Sequence, residues 1–92
     1  MSASTLTRQV TICNARGLHA RAAAKFVKTA ETFDAEIRVT KDDLTVGGTS
    51  ILGLMMLAAS PGSTLTLVAD GEDAQAALDA VATLVEQGFG ET

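Results

Sequence analysis

Residues 35–47 read AEIRVTKDDLTVG, and the fold turns on how that stretch is read. Ile37 and Val39 alternate with Glu36, Arg38 and Thr40, the period-two pattern of a strand with one buried face. Asp42-Asp43 reads as a turn, and Leu44–Gly47 as a short returning strand. Such a hairpin, apolar on one side only, belongs to an antiparallel sheet with one face covered and the other in water. The covering layer must come from elsewhere in the chain.

Upstream, residues 6–13 (LTRQVTIC) put Leu6, Val10 and Ile12 on one face and Thr7, Gln9 and Thr11 on the other, with Arg8 interrupting the apolar row. From Ala20 to about Thr32, residues Ala23, Phe26, Val27 and Ala30 follow the i, i+3, i+4, i+7 spacing of a helix with one buried stripe, and Lys25, Lys28 and Glu31 fall outside it. Downstream, Gly47-Gly48 breaks the chain. Thr49 or Ser50 then caps a short helix whose Ile51, Leu54, Met55 and Ala58 repeat the stripe. Residues 60–63 (SPGS) end that helix, and residues 64–69 (TLTLVA) form a strand with Leu65 and Leu67 on one face. DGED at 70–73 turns into a last helix lined by Ala74, Ala77, Leu78, Val81, Leu84 and Val85, which stops at Gly88. The order β-α-β-β-α-β-α predicts an α+β open-faced sandwich, three helices on one face of a four-stranded antiparallel sheet, as a single domain over residues 1–92.

Composition limits what such a domain can do. The apolar fraction is 47% but aromatics are only 3%, with no Trp or Tyr, so the core is aliphatic with three Phe. One Cys and one His cannot fill the ligand positions of a zinc site, and no cofactor is expected. The apolar runs are too short to span a bilayer, and the first residues lack the apolar middle of a signal peptide, which predicts a cytoplasmic protein without a membrane partner. Net charge is −4, unevenly spread: residues 1–41 carry all seven bases against three acids, and residues 42–92 carry eight acids and no base. An acidic chain with no aromatics among its bases is a poor nucleic-acid binder, whereas a small anion or an acidic protein partner suits its basic half.

The only histidine lies in that basic half, within GLHARAAAKF at 17–26. Gly17 allows a bend at positive φ, and the helix then begins with His19 where Ser, Thr, Asp or Asn would ordinarily cap it. Helix starts expose unpaired N–H groups and a positive dipole end, and they hold phosphate readily. Arg21 in the first turn adds a charged fork of donors, and Arg16 lies just upstream. An imidazole nitrogen is a competent nucleophile near neutral pH and can carry a covalent intermediate. Nucleophile, anion nest and clamp fall within six residues; the plainer alternative is a surface histidine capping the helix through a ring nitrogen.

GLHARAAAKF resembles the phosphorylation-site motif of the HPr family of phosphocarriers in the bacterial phosphoenolpyruvate-dependent phosphotransferase system, commonly G-L-H-x-R-P-A. The likeness extends over nearly the whole chain, through SILGLMML at 50–57 and DGED at 70–73, and EQGFGE at 86–91 resembles the nitrogen-related branch, NPr. The resemblance implies that His19 takes a phosphoryl group on Nδ1 from enzyme I and passes it to an enzyme IIA protein or domain, with Arg21 on the phosphoryl oxygens and Arg16 and Gly17 completing the phosphate site. It also implies a strand order of 1-4-2-3, a monomer, and a docking face formed by Ala20, Leu52 and Met56. Ser50 aligns with the serine that HPr kinase/phosphorylase modifies in some members; as a plain alternative it is only a helix cap. Two departures stand out: Ala22 replaces the usual Pro, a residue preorganised for the first helical turn, and Arg16 replaces a residue that is often Asn or Pro. Leu52 and Met56, at i and i+4 and off the core stripe, would leave an apolar patch beside the histidine helix. Cys13 is expected to pack at the end of the first strand. An acyl carrier protein is set aside, because Asp-Ser-Leu and an all-helical pattern are missing. A regulatory module switched by phosphate at His19 or Ser50 is the second reading.

Overall fold

The computed structural model describes residues 5–91. Its elements are β1 (Leu6–Thr11), α1 (Ala20–Ala30), β2 (Glu36–Lys41), β3 (Leu44–Gly47), α2 (Ile51–Met56), β4 (Thr64–Asp70) and α3 (Ala74–Glu86), followed by a 3₁₀ turn at Gly88–Gly90. The two-residue loop Asp42-Asp43 closes the β2–β3 hairpin, with Lys41 opposite Leu44 and Asp42 at φ 54°. A primed turn of this kind needs a residue that tolerates positive φ, and Asp is one of the few besides Gly that does.

The sheet order is β1-β4-β2-β3, and every pairing is antiparallel. β4 therefore inserts between β1 and β2, as the family resemblance implied. Register places the inward residues opposite one another: Val10 faces Leu65, Leu67 lies between Arg8 and Val39, and Ala69 lies between Leu6 and Ile37. The helices cover this one face, with α3 against β1 and β4, and α1 between α3 and α2. Phe26, Ile12, Leu54, Leu65, Leu67, Val39, Val81 and Val85 are almost fully removed from water. Each such side chain contributes roughly 1.5–3 kcal/mol relative to exposure. Arg8 occupies an inward position on edge strand β1, and its guanidinium leaves the core to reach Glu86 at 3.0 Å and Asp79 at 3.6 Å on α3.

Two packing expectations need correction, at α2 and at Cys13. In α2, Ile51 and Met55 are 42% and 41% exposed, and only Leu54 of the expected stripe is buried within the helix. A helix of six residues resting on α1 and β3 is too short to bury a stripe two residues wide. Ala58 lies past the helix end at φ 51°, exposed, and Leu57 and Ala59 point inward instead. In α1 and α3, Val27 and Leu84 are half-buried and pack against the core as their stripes predict, and Ala22 and Ala82, outside the expected stripes, are buried as well. Cys13 does not pack inside: it is exposed, with its thiol toward the carbonyls of Val85 and Glu86.

Candidate functional site

The loop from β1 to α1 is short and tightly tied. Gly17 has φ +65°, and a Cβ there would fall 2.4 Å from the carbonyl oxygen of Ala59, so only glycine fits. That close approach lets the Leu18 N–H donate to Ala59 O at 2.9 Å, anchoring the loop to the segment before β4. His19 follows as the N-cap residue of α1, with extended backbone (φ −78°, ψ 177°) and its carbonyl accepting from Ala23 N at 2.8 Å.

The imidazole occupies the cap position but does not cap. Its side chain makes no bond to the helix amides. Among the described residues, the N–H groups of Ala20, Arg21 and Ala22 take no protein partner. Ala22 thus keeps a donor that proline in its place would lack. The helix start therefore presents three unpaired amides and the positive end of an eleven-residue dipole.

His19 Nε2 meets the carboxylate of Glu91 through a short hydrogen bond to Oε2. The same carboxylate accepts from Asn14 Nδ2 through Oε1 at 3.0 Å, and Asn14 Nδ2 also donates to Gly17 O at 2.8 Å. Both partners of that amide are oxygens, which fixes its orientation. Asn14 is buried, and its Oδ1 has no partner among the described residues. The His19 and Glu91 side chains are 15% and 23% exposed, sheltered but open to solvent on one side. Hydrogen bonds from His19 first and Asn14 second hold the Glu91 carboxyl below its ordinary range, aided by the charges of His19 and Arg16. With the carboxylate ionised, the ring proton belongs on Nε2. The other ring nitrogen, Nδ1, takes no partner among the described residues, and in the neutral ring it is the nitrogen that carries the lone pair.

Around this pair runs a cleft of about 570 Å³ whose lining includes Cys13, Arg16, His19, Arg21, Lys25 and Glu91. Lys25 Nζ is bound to Phe89 O at 2.8 Å. Among the described residues, neither Arg16 nor Arg21 takes an ion-pair or side-chain hydrogen-bond partner, so both guanidinium groups remain available to an anion. The structure thus brings Arg16, His19 and Arg21 into one cleft, with Ala20 exposed at the first helical position; Gly17, expected at the phosphate site, is instead buried outside the cleft lining, and its N–H donates to Asn14 O at 3.1 Å, so it shapes the loop rather than offering a donor. Ser50 and the α2 residues stand outside the cleft. Ser50 caps α2 by accepting from Gly53 N at 2.9 Å, and Leu52 and Met56 are 71% and 63% exposed. Together with Ile51 and Met55 they form an apolar surface wider than the two residues expected.

Asn14, Glu91 and Lys25 escaped the sequence reading. Glu91 lies 72 residues from the ring it touches, so no local spacing announces the contact.

A family model described as the PTS HPr component phosphorylation site matches residues 6–87. A phosphocarrier protein NPr from Shewanella violacea is 51% identical over 86 residues, covering 94% of each chain. A phosphocarrier protein HPr from Neisseria meningitidis is 48% identical over 86 residues, covering 94% of this chain and 97% of its own. The crystal structure of HPr-C-His from Thermoanaerobacter tengcongensis superposes with a TM-score of 0.90 at 42% identity, covering 95% of this chain and 98% of that one.

Proposed function

The chain belongs to the HPr family of phosphotransferase-system phosphocarriers, and from that premise we propose that His19 is its phosphoryl-bearing residue, loaded on Nδ1 by enzyme I and unloaded to an enzyme IIA protein or domain. The observation that carries this reading is how the ring is held: Glu91 engages Nε2, while Nδ1 has no partner among the described residues, and the ring belongs to the N-cap residue of α1, whose first three amides are unpaired among those residues. A nucleophile with a free lone pair, next to donors and free guanidinium groups, suits the transfer of a group bearing negative charge. On this reading the protein works in the cytoplasm as a monomer, needs no cofactor, and turns over nothing by itself.

Incubation with enzyme I and phosphoenolpyruvate should give a phosphoprotein whose label is lost in mild acid and survives base, the behaviour of a phosphoramidate bond. Label retained by His19→Ala would overturn the assignment.

Two features support a regulatory role beside transfer. The similarity to an NPr protein is as strong as that to HPr proteins, and Ser50 sits exposed at the start of α2 beside Leu52. A phosphate on Ser50 would put about −1.5 to −2 charge beside the apolar α2 surface. It would weaken docking by repulsion without unfolding the helix it caps. Treatment with ATP and HPr kinase should then place acid-stable phosphate on Ser50, and its absence would discard that role. Transfer measured side by side to a sugar-specific and a nitrogen-specific IIA decides the branch.

A further inference from the structure

The segment after α3 is built for more than ending a helix. Gly88, Phe89 and Gly90 have successive φ values of 64°, 57° and 74°. Phe89 pays the steric penalty of left-handed backbone that its glycine neighbours avoid. The turn is held by two independent contacts: the Phe89 ring is 1% exposed in the core, and its carbonyl accepts from Lys25 Nζ at 2.8 Å. Strained backbone of this kind persists where its surroundings over-determine it, and it collects at functional sites. Its product here is the placement of Glu91, whose carboxylate lies between Asn14 Nδ2 at 3.0 Å and His19 Nε2. Asn14 is itself fixed by burial and by its bond to Gly17 O. Core packing, a lysine strap and a buried amide therefore converge on one carboxylate.

We infer that Glu91 is a positioning residue for phosphoryl transfer: its carboxylate keeps the His19 proton on Nε2 in both the free and the phosphorylated protein, so that Nδ1 attacks during loading and leaves during unloading. The inference rests on the phosphocarrier reading of His19. During loading, the Nδ1 lone pair forms the N–P bond as the donor's bond to phosphorus breaks and its electron pair departs with the donor. Nε2 keeps its hydrogen, and the positive charge gained by the ring is matched by the adjacent carboxylate. During unloading, the acceptor's nucleophile bonds to phosphorus and the N–P electron pair returns to Nδ1, giving back neutral imidazole. No proton moves at either step. A phosphorylated ring stripped of its Nε2 proton would have to depart as imidazolate, a much poorer leaving group, and the carboxylate guards against that loss. The role is that of carboxylates that orient catalytic or metal-bound histidines through the far ring nitrogen.

The test uses the full chain and phosphoramidate, a small phosphoryl donor that needs no docking surface, with loading followed by ³¹P NMR and the His19 ring by ¹H–¹⁵N NMR. In the wild type the Nε2 proton should resonate far downfield and exchange slowly with water, before and after loading. Glu91→Gln, nearly isosteric and on a side chain open to solvent, should load roughly tenfold more slowly, the usual scale for losing an oriented carboxylate behind an imidazole, and should lose the downfield signal. Asn14→Ala should shift both readouts the same way by a smaller factor. Wild-type loading by Glu91→Gln, or an Nε2 proton signal unchanged in that variant, would overturn the inference. Failure of the carrier reading would look different: wild type would load from phosphoramidate yet exchange nothing with enzyme I, leaving the role of Glu91 intact.

Discussion

Replacing Gly17 with alanine tests whether the loop bearing His19 is held by the contact that positions it. The backbone there has φ +65°, which costs a non-glycine residue about 1–2 kcal/mol. The added Cβ would lie 2.4 Å from Ala59 O, inside any distance a methyl group tolerates, so the loop must retreat from that carbonyl. Retreat breaks the 2.9 Å bond from Leu18 N to the same oxygen, a net loss of about 0.5–1.5 kcal/mol. The two terms sum to about 1.5–3.5 kcal/mol. At about 4–8 °C per kcal/mol for a domain of this size, the thermal midpoint should fall by roughly 6–28 °C. Gly62→Ala supplies the internal control: its φ is +92°, but nothing lies within 4 Å of the added Cβ, so only the backbone penalty applies. Melting of both variants followed by circular dichroism separates the terms, and a Gly17→Ala protein that melts no lower than Gly62→Ala would refute the reasoning. Labelling by enzyme I and phosphoenolpyruvate should also fall in Gly17→Ala at temperatures where it is folded, since the displaced loop carries His19.

Arg21→Ala should leave the melting temperature within about 3 °C of wild type, because the side chain is exposed and takes no partner among the described residues, yet slow phosphoryl transfer by about tenfold or more; unchanged transfer would make the guanidinium a bystander. The Glu91 carboxyl, followed by ¹³C NMR, should titrate below the ordinary carboxylate range and move up in His19→Ala, whose ring no longer donates to it. A carboxyl depressed by folding stabilises the protein above its unfolded pKa and loses that contribution as pH falls through the folded value. The stability difference between wild type and Glu91→Gln should therefore vanish on acidification; a difference that persists below both values would show that the hydrogen bonds to the ionised carboxylate are not its source. Leu52→Asp with Met56→Asp should preserve melting, because both side chains are mostly in water, while lowering transfer between the protein and its partners; unimpaired transfer would remove α2 from the docking surface.

The architecture was legible because its signals are local. Alternation in β2 and β4 and the 3.6-residue stripes of α1 and α3 depend on neighbours a few residues apart, and the core they predict is the core observed, apart from flanking residues such as Val27 and Leu84. Strand order is not local. It entered through the family resemblance, and nothing in the spacing of β4 says that it inserts between β1 and β2. α2 was misread for a related reason: Ile51, Leu54 and Met55 have the spacing of a buried stripe, but how much of a stripe is covered depends on how many elements flank it. The site divided along the same line. His19, Arg16, Gly17 and Arg21 lie within six residues and are legible together, whereas Glu91 reaches the ring from 72 residues away, and Lys25, although in the same stretch, acts through Phe89, 64 residues on. The one available signal was Gly88-Phe89-Gly90, an apolar residue between two glycines just before an acid, which was read only as a helix stop and a mark of family branch.

A phosphoryl carrier faces opposing demands, and the proposed reading explains why the site is shallow. Free amides and guanidinium groups must steady the phosphoryl group against loss to water, but every donor that binds it more tightly than the transition state does slows its release. A helix start at the surface favours an anion by only about 0.3–1 kcal/mol, and exposed Arg16 and Arg21 add screened, adjustable charge. Enclosing the phosphoryl group in a dry pocket would strengthen each of these contacts and trap it. The structure instead reserves its rigid, buried support for the opposite edge of the ring, where Asn14 and Glu91 hold the Nε2 side. On the proposed reading, the nucleophile would be fixed by atoms that do not touch the transferred group, and the face that does would stay open for donor and acceptor to complete.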